Sequence, residues 1–238
     1  MPAPTPAAAR HPHLAEDRLP DRLRVDLHLH SMWSGDSQTT PDELARAVAE
    51  TGLDVVCLTD HSAVAGAQRF AASGELGCRV VIGQELRTVA GEIIGLFLTE
   101  RLPFGLTPEQ ACKEIRSQGG VVYVPHPFDE LRHALRTPVL DRLVGAGLID
   151  AIEVFNAKIR APGANDRAAR YAAEHQLAAG AGSDAHEPGA LGAAYAEMGD
   201  FTDGPSFLAS LRVATLRGHH YDAARAWRAR VVPSTSTT

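Results

Sequence analysis

The feature that most constrains this sequence is what stands where its apolar runs begin and end. In the stretch 24–31 (RVDLHLHS), Val25, Leu27 and Leu29 alternate with Asp26, His28 and His30. As a strand, that alternation sends apolar side chains to one face and polar ones to the other. Two imidazoles two residues apart on one face can reach the same cation, and imidazole is the commonest metal ligand. One such pair is compatible with ordinary hydrogen-bonded core histidines, but the theme recurs along the chain. The apolar run 53–58 ends in Thr59-Asp60-His61, the run 79–83 leads to Glu85, and Val121-Val122-Tyr123-Val124 delivers Pro125-His126-Pro127. The run 177–181 leads into Gly182-Ser183-Asp184-Ala185-His186, where Asp184 and His186 repeat the spacing of His28 and His30. Glu92 differs in that it precedes its apolar run, Ile93-Ile94-Gly95-Leu96-Phe97-Leu98, and Glu153 lies inside the run 149–155.

Helical patterns separate these runs. Thr40-Pro41-Asp42-Glu43 combines a capping Thr, Pro at the first helical position and Glu three residues on, and Gly52 closes that helix. Thr107-Pro108-Glu109-Gln110 repeats the start signal and Gly119-Gly120 the stop. Further helices are expected around 137–146 and 167–175, with a last amphipathic segment at 205–213 on the outside, and Asn165 and Arg167 are expected as caps. Alternating strands and helices imply parallel β/α units. Seven or so units, without Gly-x-Gly-x-x-Gly after the first strand, favour a closed α/β barrel in a single domain over a dinucleotide-binding sheet. In such a barrel the strand C-termini gather at one mouth, and His28, His30, His61, Glu85, His126, Asp184 and His186 would meet there. The remaining histidines, His11, His13, His133, His175, His219 and His220, are expected in tails, helices or surface positions.

Composition narrows the function classes. Lys and Arg number 23 against 29 Asp and Glu, a formal charge of −6, with no basic block. An extended nucleic-acid surface is therefore not expected, whereas a small phosphorylated substrate is compatible. Cys57, Cys78 and Cys112 lack metal-type spacing and read as reduced thiols of a cytoplasmic protein. No run approaches 18 apolar residues, so no membrane span is expected. Residues 1–22, rich in Pro, Ala and charge, are expected to form a disordered leader, residues 23–230 the barrel domain and residues 231–238 a disordered tail.

Taken together in this order, His28-Leu29-His30-Ser31, Ser34-Gly35-Asp36, Thr59-Asp60-His61, Gly83-Gln84-Glu85, His126-Pro127 and Gly182-Ser183-Asp184-Ala185-His186 resemble the motifs of the polymerase and histidinol phosphatase (PHP) family, over about residues 24–216. The resemblance implies a distorted (β/α)7 barrel holding two or three divalent ions, a trinuclear centre at most, and hydrolysis of phosphoesters. It further implies one site from His28, His30, Glu85 and Asp184, a second from the bridging Glu85 with His126 and one more ligand, and a third from Asp36, His61 and His186. The missing ligand is often His in the family; here Glu92 stands at that place, with Glu153 as the alternative. Asp36 likewise stands where some members carry His. An oxygen-rich second site leans toward manganese or iron over zinc. Three divalent ions would bring about +6 and Asp36, Glu85, Glu92 and Asp184 about −4, so a surplus of about +2 would attract a phosphate.

The expected chemistry is in-line attack on a small phosphomonoester or nucleotide-type phosphoester by a metal-bridging hydroxide, with no protein nucleophile. Asp60, beside His61, is expected to orient a ligand or accept a proton. Arg132, Asn156, Lys158 and Arg160 are expected around the substrate. Two other readings stay open: a non-catalytic, metal-stabilised module, and a metal-dependent hydrolase of an amide or ester bond. The leaving group and the oligomeric state are not legible in the residues.

Overall fold

The computed structural model describes residues 7–16, 18–161 and 163–221. The expected tail 231–238 therefore lies outside the described residues. The chain begins with a short helical turn α1 (Ala7–Arg10) and a 3-10 turn, Pro12–Ala15, before strand β1 (Leu23–Leu29). There follow α2 (Pro41–Thr51), β2 (Val55–Leu58), α3 (Ala65–Ser73), β3 (Arg79–Thr88), β4 (Gly91–Leu96), α4 (Pro108–Ser117), β5 (Val121–Val124) and α5 (Thr137–Gly145). The rest is β6 (Ala151–Asn156), α6 (Ala164–Glu174), β7 (Ala178–Gly182), β8 (Ala194–Met198), α7 (Gly204–Leu211) and β9 (Thr215–Gly218). Both expected start signals close as capping boxes: Thr40 with Glu43, and Thr107 with Gln110. A third forms between Asp203 and Ser206 at α7. No helix among the described residues is long and apolar enough to cross a membrane.

The strands form one sheet in the order β7-β6-β5-β4-β3-β2-β1-β8-β9. It curls until its seventh strand meets its first. Past the end of β7, Ala185 bridges Leu29 in parallel register, the His30 amide donates to the Ala185 carbonyl at 2.9 Å, and the Asp184 amide donates to the His28 carbonyl at 2.7 Å. Deeper down, Asp26 Oδ1 accepts from the Ser183 amide at 3.0 Å. The result is a distorted α/β barrel in a single domain, as the motifs implied.

Three departures from uniform β/α units shape the mouth. First, β3 and β4 form an antiparallel hairpin, and β4 also runs antiparallel to β5. The start of β4, not its end, is thereby delivered to the mouth, which explains why Glu92 precedes its apolar run. Second, the β1–β2 register shifts between Asp26 and Leu29. The simple alternation breaks there, as a bulge requires. Val25 and Leu27 pack among the strand residues Cys57, Ile94 and Tyr123, while Leu29 packs with Leu44 and Val48 of α2. Third, β1 leaves its lower half, Leu23–Val25, to pair antiparallel with β8. The segment expected at 205–213 is α7; its Phe207 and Leu211 are buried against the strand core, so it is not merely an outer layer.

Two histidines of the segment expected as a leader differ from expectation, and its residues 1–6 and 17 lie outside the described residues. His11 and His13 are buried, not surface residues. His11 Nε2 lies 3.0 Å from the Gly189 carbonyl and His13 Nε2 2.9 Å from that of Gly192, and the Nδ1 atom of each faces the His219 ring, at 3.4 and 3.2 Å. Burial, with the neighbouring His219 imidazole, lowers His11 from the ordinary value of 6.5 to about 4. The unfolded chain therefore binds this proton at a higher pH than the folded one. Stability from docking this segment is complete above about 6.5 and is lost as pH falls toward about 4. Thermal unfolding of His11→Asn should show a shallower decline between those values than the original chain; parallel declines would refute the assignment.

Candidate metal centre

The barrel mouth collects the sequence-selected side chains one strand at a time. β1 ends at His28 and His30 and its following loop carries Asp36; β2 leads to His61; β3 carries Glu85 and β4 opens with Glu92; β5 leads to His126, and β7 to Asp184 and His186. In the hairpin Arg87 pairs with Glu92 and Glu85 with Ile94, so alternation puts Glu85, Arg87 and Glu92 on one face. His28, His30, Glu85, Glu92, His126 and Asp184 are buried, and Asp36, His61 and His186 form the more accessible rim.

Candidate ligand atoms of His30, Asp36, His61 and His186 lie within 4.8 Å of one another, and so do those of His28, His126 and Asp184, of His28, His30 and Glu85, and of His61, Glu85 and Glu92. The groups overlap where the resemblance implied a cleaner partition: His30 joins the rim set, and His61 reaches Glu85 and Glu92 as well as Asp36. Individual distances are short. His28 Nε2 and His30 Nε2 are 3.1 Å apart and each is 3.3 Å from Glu85 Oε2; His126 Nε2 is 3.0 Å from Glu85 Oε1; His186 Nε2 is 3.0 Å from Asp36 Oδ2.

These residues fit divalent cations. Asp36 Oδ1, Asp184 Oδ1 and His126 Nδ1 are buried without a hydrogen-bond partner, a costly state for oxygens and nitrogens that a cation would relieve. Imidazoles and carboxylates in this mixture suit manganese, iron or zinc. Burial alone would push Glu85 up, but the facing imidazoles of His28 and His61 hold it well below the usual carboxylate range. Asp184, equally buried, is held low by Arg132, Lys158 and His28. At His61 burial is outweighed by Glu85 and Asp36, raising it to about 9, whereas burial and the nearby His30 lower His186 to about 3.

A second layer fixes the ring orientations. Glu153 Oε1 is 3.2 Å from His28 Nδ1 and Oε2 accepts from the His126 amide at 2.7 Å. Glu153 thus stands behind His28 and His126 and joins none of the ligand groups, whereas Glu92 does, with Oε2 3.7 Å from His126 Nε2. Ser34 Oγ lies 2.9 Å from His30 Nδ1 and accepts from the His61 amide at 2.9 Å, a linking role that the Ser34-Gly35-Asp36 pattern did not disclose. Asp60 accepts from the Ser31 amide at 2.6 Å and from the Ser31 hydroxyl at 2.7 Å. Each of its oxygens thus accepts from Ser31, the residue that follows His30, which ties Asp60 to the end of β1.

Of the expected substrate-binding residues, Arg132 Nη1 lies 2.5 Å from Asp184 Oδ2, and Lys158 Nζ lies 2.6 Å from His186 Nδ1 and 3.6 Å from Asp184 Oδ1. Asn156 is fully buried and donates to Glu153 Oε2 at 2.9 Å and Asp184 Oδ2 at 3.2 Å, which makes it a positioning residue; Asn165, expected as a cap, instead pins the Asn156 backbone from both sides. Arg160 is exposed and lines a separate depression with Leu131 and Arg167.

Glu92→Ala should lower the bound metal by one equivalent while leaving the fold intact, and Glu92→His should keep that ion but shift preference toward zinc. Elemental analysis of both variants checks this; unchanged stoichiometry in Glu92→Ala would remove Glu92 from the ligand set.

Comparison with known proteins agrees with this geometry. The PHP domain family matches residues 26–179, and a PHP-associated family matches residues 162–216. An uncharacterized protein of Methanocaldococcus jannaschii is 38% identical over 146 residues, covering 57% of this chain and 82% of its own. A two-domain protein from Bacteroides vulgatus containing a predicted PHP-like metal-dependent phosphoesterase superposes with a TM-score of 0.67 at 22% identity, over 85% of this chain and 67% of that one. An amidohydrolase from Chromobacterium violaceum superposes with a TM-score of 0.58 at 20% identity, over 69% and 88%. At these identities the two structures speak to fold alone.

Proposed function

The chain belongs to the PHP domain family, and from that premise we propose that it is a metal-dependent phosphoesterase releasing phosphate from a small phosphomonoester or nucleotide-type substrate. The observation that carries the reading is the convergence of His28, His30, Glu85, His126 and Asp184 with the cationic side chains of Arg132 and Lys158 on one barrel mouth. Two or three divalent ions bound by this set would lower the pKa of water and neutralise charge developing on phosphoryl oxygens.

The protein's own residues supply the rest. Glu153 and Ser34 hold His28 and His30 by their Nδ1 atoms, leaving both Nε2 atoms toward Glu85. Arg132 and Lys158 are anchored at Asp184 and His186, yet the side chain of each stays 18% exposed. They can therefore meet an incoming phosphate without first being ordered, and a preset guanidinium matches phosphate geometry well. Asn156 keeps Asp184 in place.

The amidohydrolase likeness makes an amide bond the one competing substrate class. Phosphate release from a phosphomonoester panel, run beside an amide and ester panel with manganese, iron or zinc supplied, decides between them. Turnover confined to amides or esters would overturn the proposal, and a chain that binds metal but turns over neither panel would be a structural module.

A further inference from the structure

Beside the metal centre lies a cavity of about 600 Å³, of whose lining the chemistry above uses Arg132 alone. Its walls are the β3–β4 turn, the loop after His126 and the start of α6. Arg87, Arg132, Arg136 and Arg167 all line it, against the carboxylates of Asp129 and Glu130. Such a concentration of guanidinium groups contrasts with the overall charge of −6. Two of the four tie the cavity to the reaction site: Arg132 to Asp184 at 2.5 Å, and Arg87, through Nε, to Glu92 Oε1 at 3.5 Å.

The other two touch no candidate metal ligand. Arg167 is set in place, its guanidinium carbon 4.1 Å from the centre of the Phe128 ring and its Nη2 donating to Thr137 Oγ1 at 3.1 Å. Arg136 is exposed at the rim of the cavity. Asp129 is buried and lies 3.9 Å from Arg132; with Glu130 it sets two carboxylates against the four guanidinium groups of the lining, which leaves the cavity an excess of positive charge. Val89 and Leu135 give the same cavity an apolar wall, and Val89 is 69% exposed.

We infer that this cavity is a second anion subsite, in which Arg136 and Arg167 hold a phosphate carried by the leaving group while the first phosphate occupies the metal centre. The inference rests on the phosphoesterase reading and deepens it: the preferred substrate is a small bisphosphorylated molecule. Its organic spacer lies along Val89 and Leu135. The volume suits one sugar- or nucleoside-sized group in place of a polymer.

The test compares matched compounds: glucose 1-phosphate with glucose 1,6-bisphosphate, and a nucleoside 5′-phosphate with its 3′,5′-bisphosphate. The original chain should favour at least one bisphosphate in kcat/KM by about tenfold or more, a preference that shrinks as salt rises. Arg136→Ala and Arg136→Glu, at an exposed position where folding is not at issue, should erase that preference mainly through KM, the reversal of charge doing so more completely. Arg167→Ala should act in the same direction. Equal kcat/KM for mono- and bisphosphates, or a preference unchanged in Arg136→Glu, would overturn the subsite while leaving the phosphoesterase reading intact. If no phosphomonoester is turned over, that reading fails instead. Calorimetric titration of the same bisphosphates then judges the cavity alone: binding weakened about tenfold in Arg136→Glu supports it, and equal binding overturns it.

Discussion

Replacing Glu85 by Gln, or Asp184 by Asn, should lower kcat on any phosphoester substrate by more than ~100-fold. Residues one step behind a metal ligand already cost about 10–100-fold when changed, and these two stand in front. Glu85 touches His28, His30, His61 and His126 at 3.0–3.3 Å, so neutralising it uncouples every ligand group that shares it. Asp184 is the anchor of Arg132 and Lys158 as well as a candidate ligand. Its loss should raise KM in addition, whereas Glu85→Gln should act chiefly on kcat. Steady-state kinetics with metal in excess separates the two. If both variants keep turnover within a few-fold of the original, catalysis does not run through this cluster.

The second large effect is on stability. A cation that binds the folded chain alone, at a concentration of about 100 times its dissociation constant, adds ~2.7 kcal/mol. In a domain of this size each kcal/mol moves Tm by about 2–4 °C. Chelator treatment should therefore lower Tm by about 5–10 °C for each ion removed. Restoring manganese, zinc or iron should reverse it, and magnesium should do so less well because His-rich sites suit it poorly. Scanning calorimetry before and after chelation reads this directly, and a Tm indifferent to chelator and metal would show that these residues hold one another unaided.

Much of the centre was legible because its ligands sit at strand termini, where an apolar run gives way to a polar residue. His28, His30, His61, His126, Asp184 and His186 announce themselves in that way. Glu92 was harder, because it opens an antiparallel strand, and only the β3–β4 hairpin explains a ligand that comes before its run. The bulge in β1 was hidden for a related reason: strict alternation in the residues continues through a register shift that only pairing with β2 reveals. Glu153 carried the right residue type, but distance alone shows that it holds His28 and His126 from behind.

The elements missed entirely lacked local signals. α3 starts at Ala65 after Val64, which offers no side-chain cap, and runs largely through small residues. β8 and β9 follow no helix-stop pattern; β8 pairs antiparallel with Leu23–Val25 of β1, and β9 pairs antiparallel with β8. The burial of His11 and His13 depends on carbonyls of Gly189 and Gly192 far along the chain, which no short-range pattern encodes. The arginine cavity is similar, since Arg87, Arg136 and Arg167 come from three separate elements.

Anomalous diffraction from crystals grown with manganese would locate the ions of a multinuclear centre at the barrel mouth. Two or three anomalous peaks are expected within the mouth: one bounded by His28, His30, Glu85 and Asp184, one reached by Glu85, Glu92 and His126, and, where a third is present, one beside Asp36, His61 and His186. A map with no peak among these side chains, or with ions bound only elsewhere on the surface, would contradict that expectation.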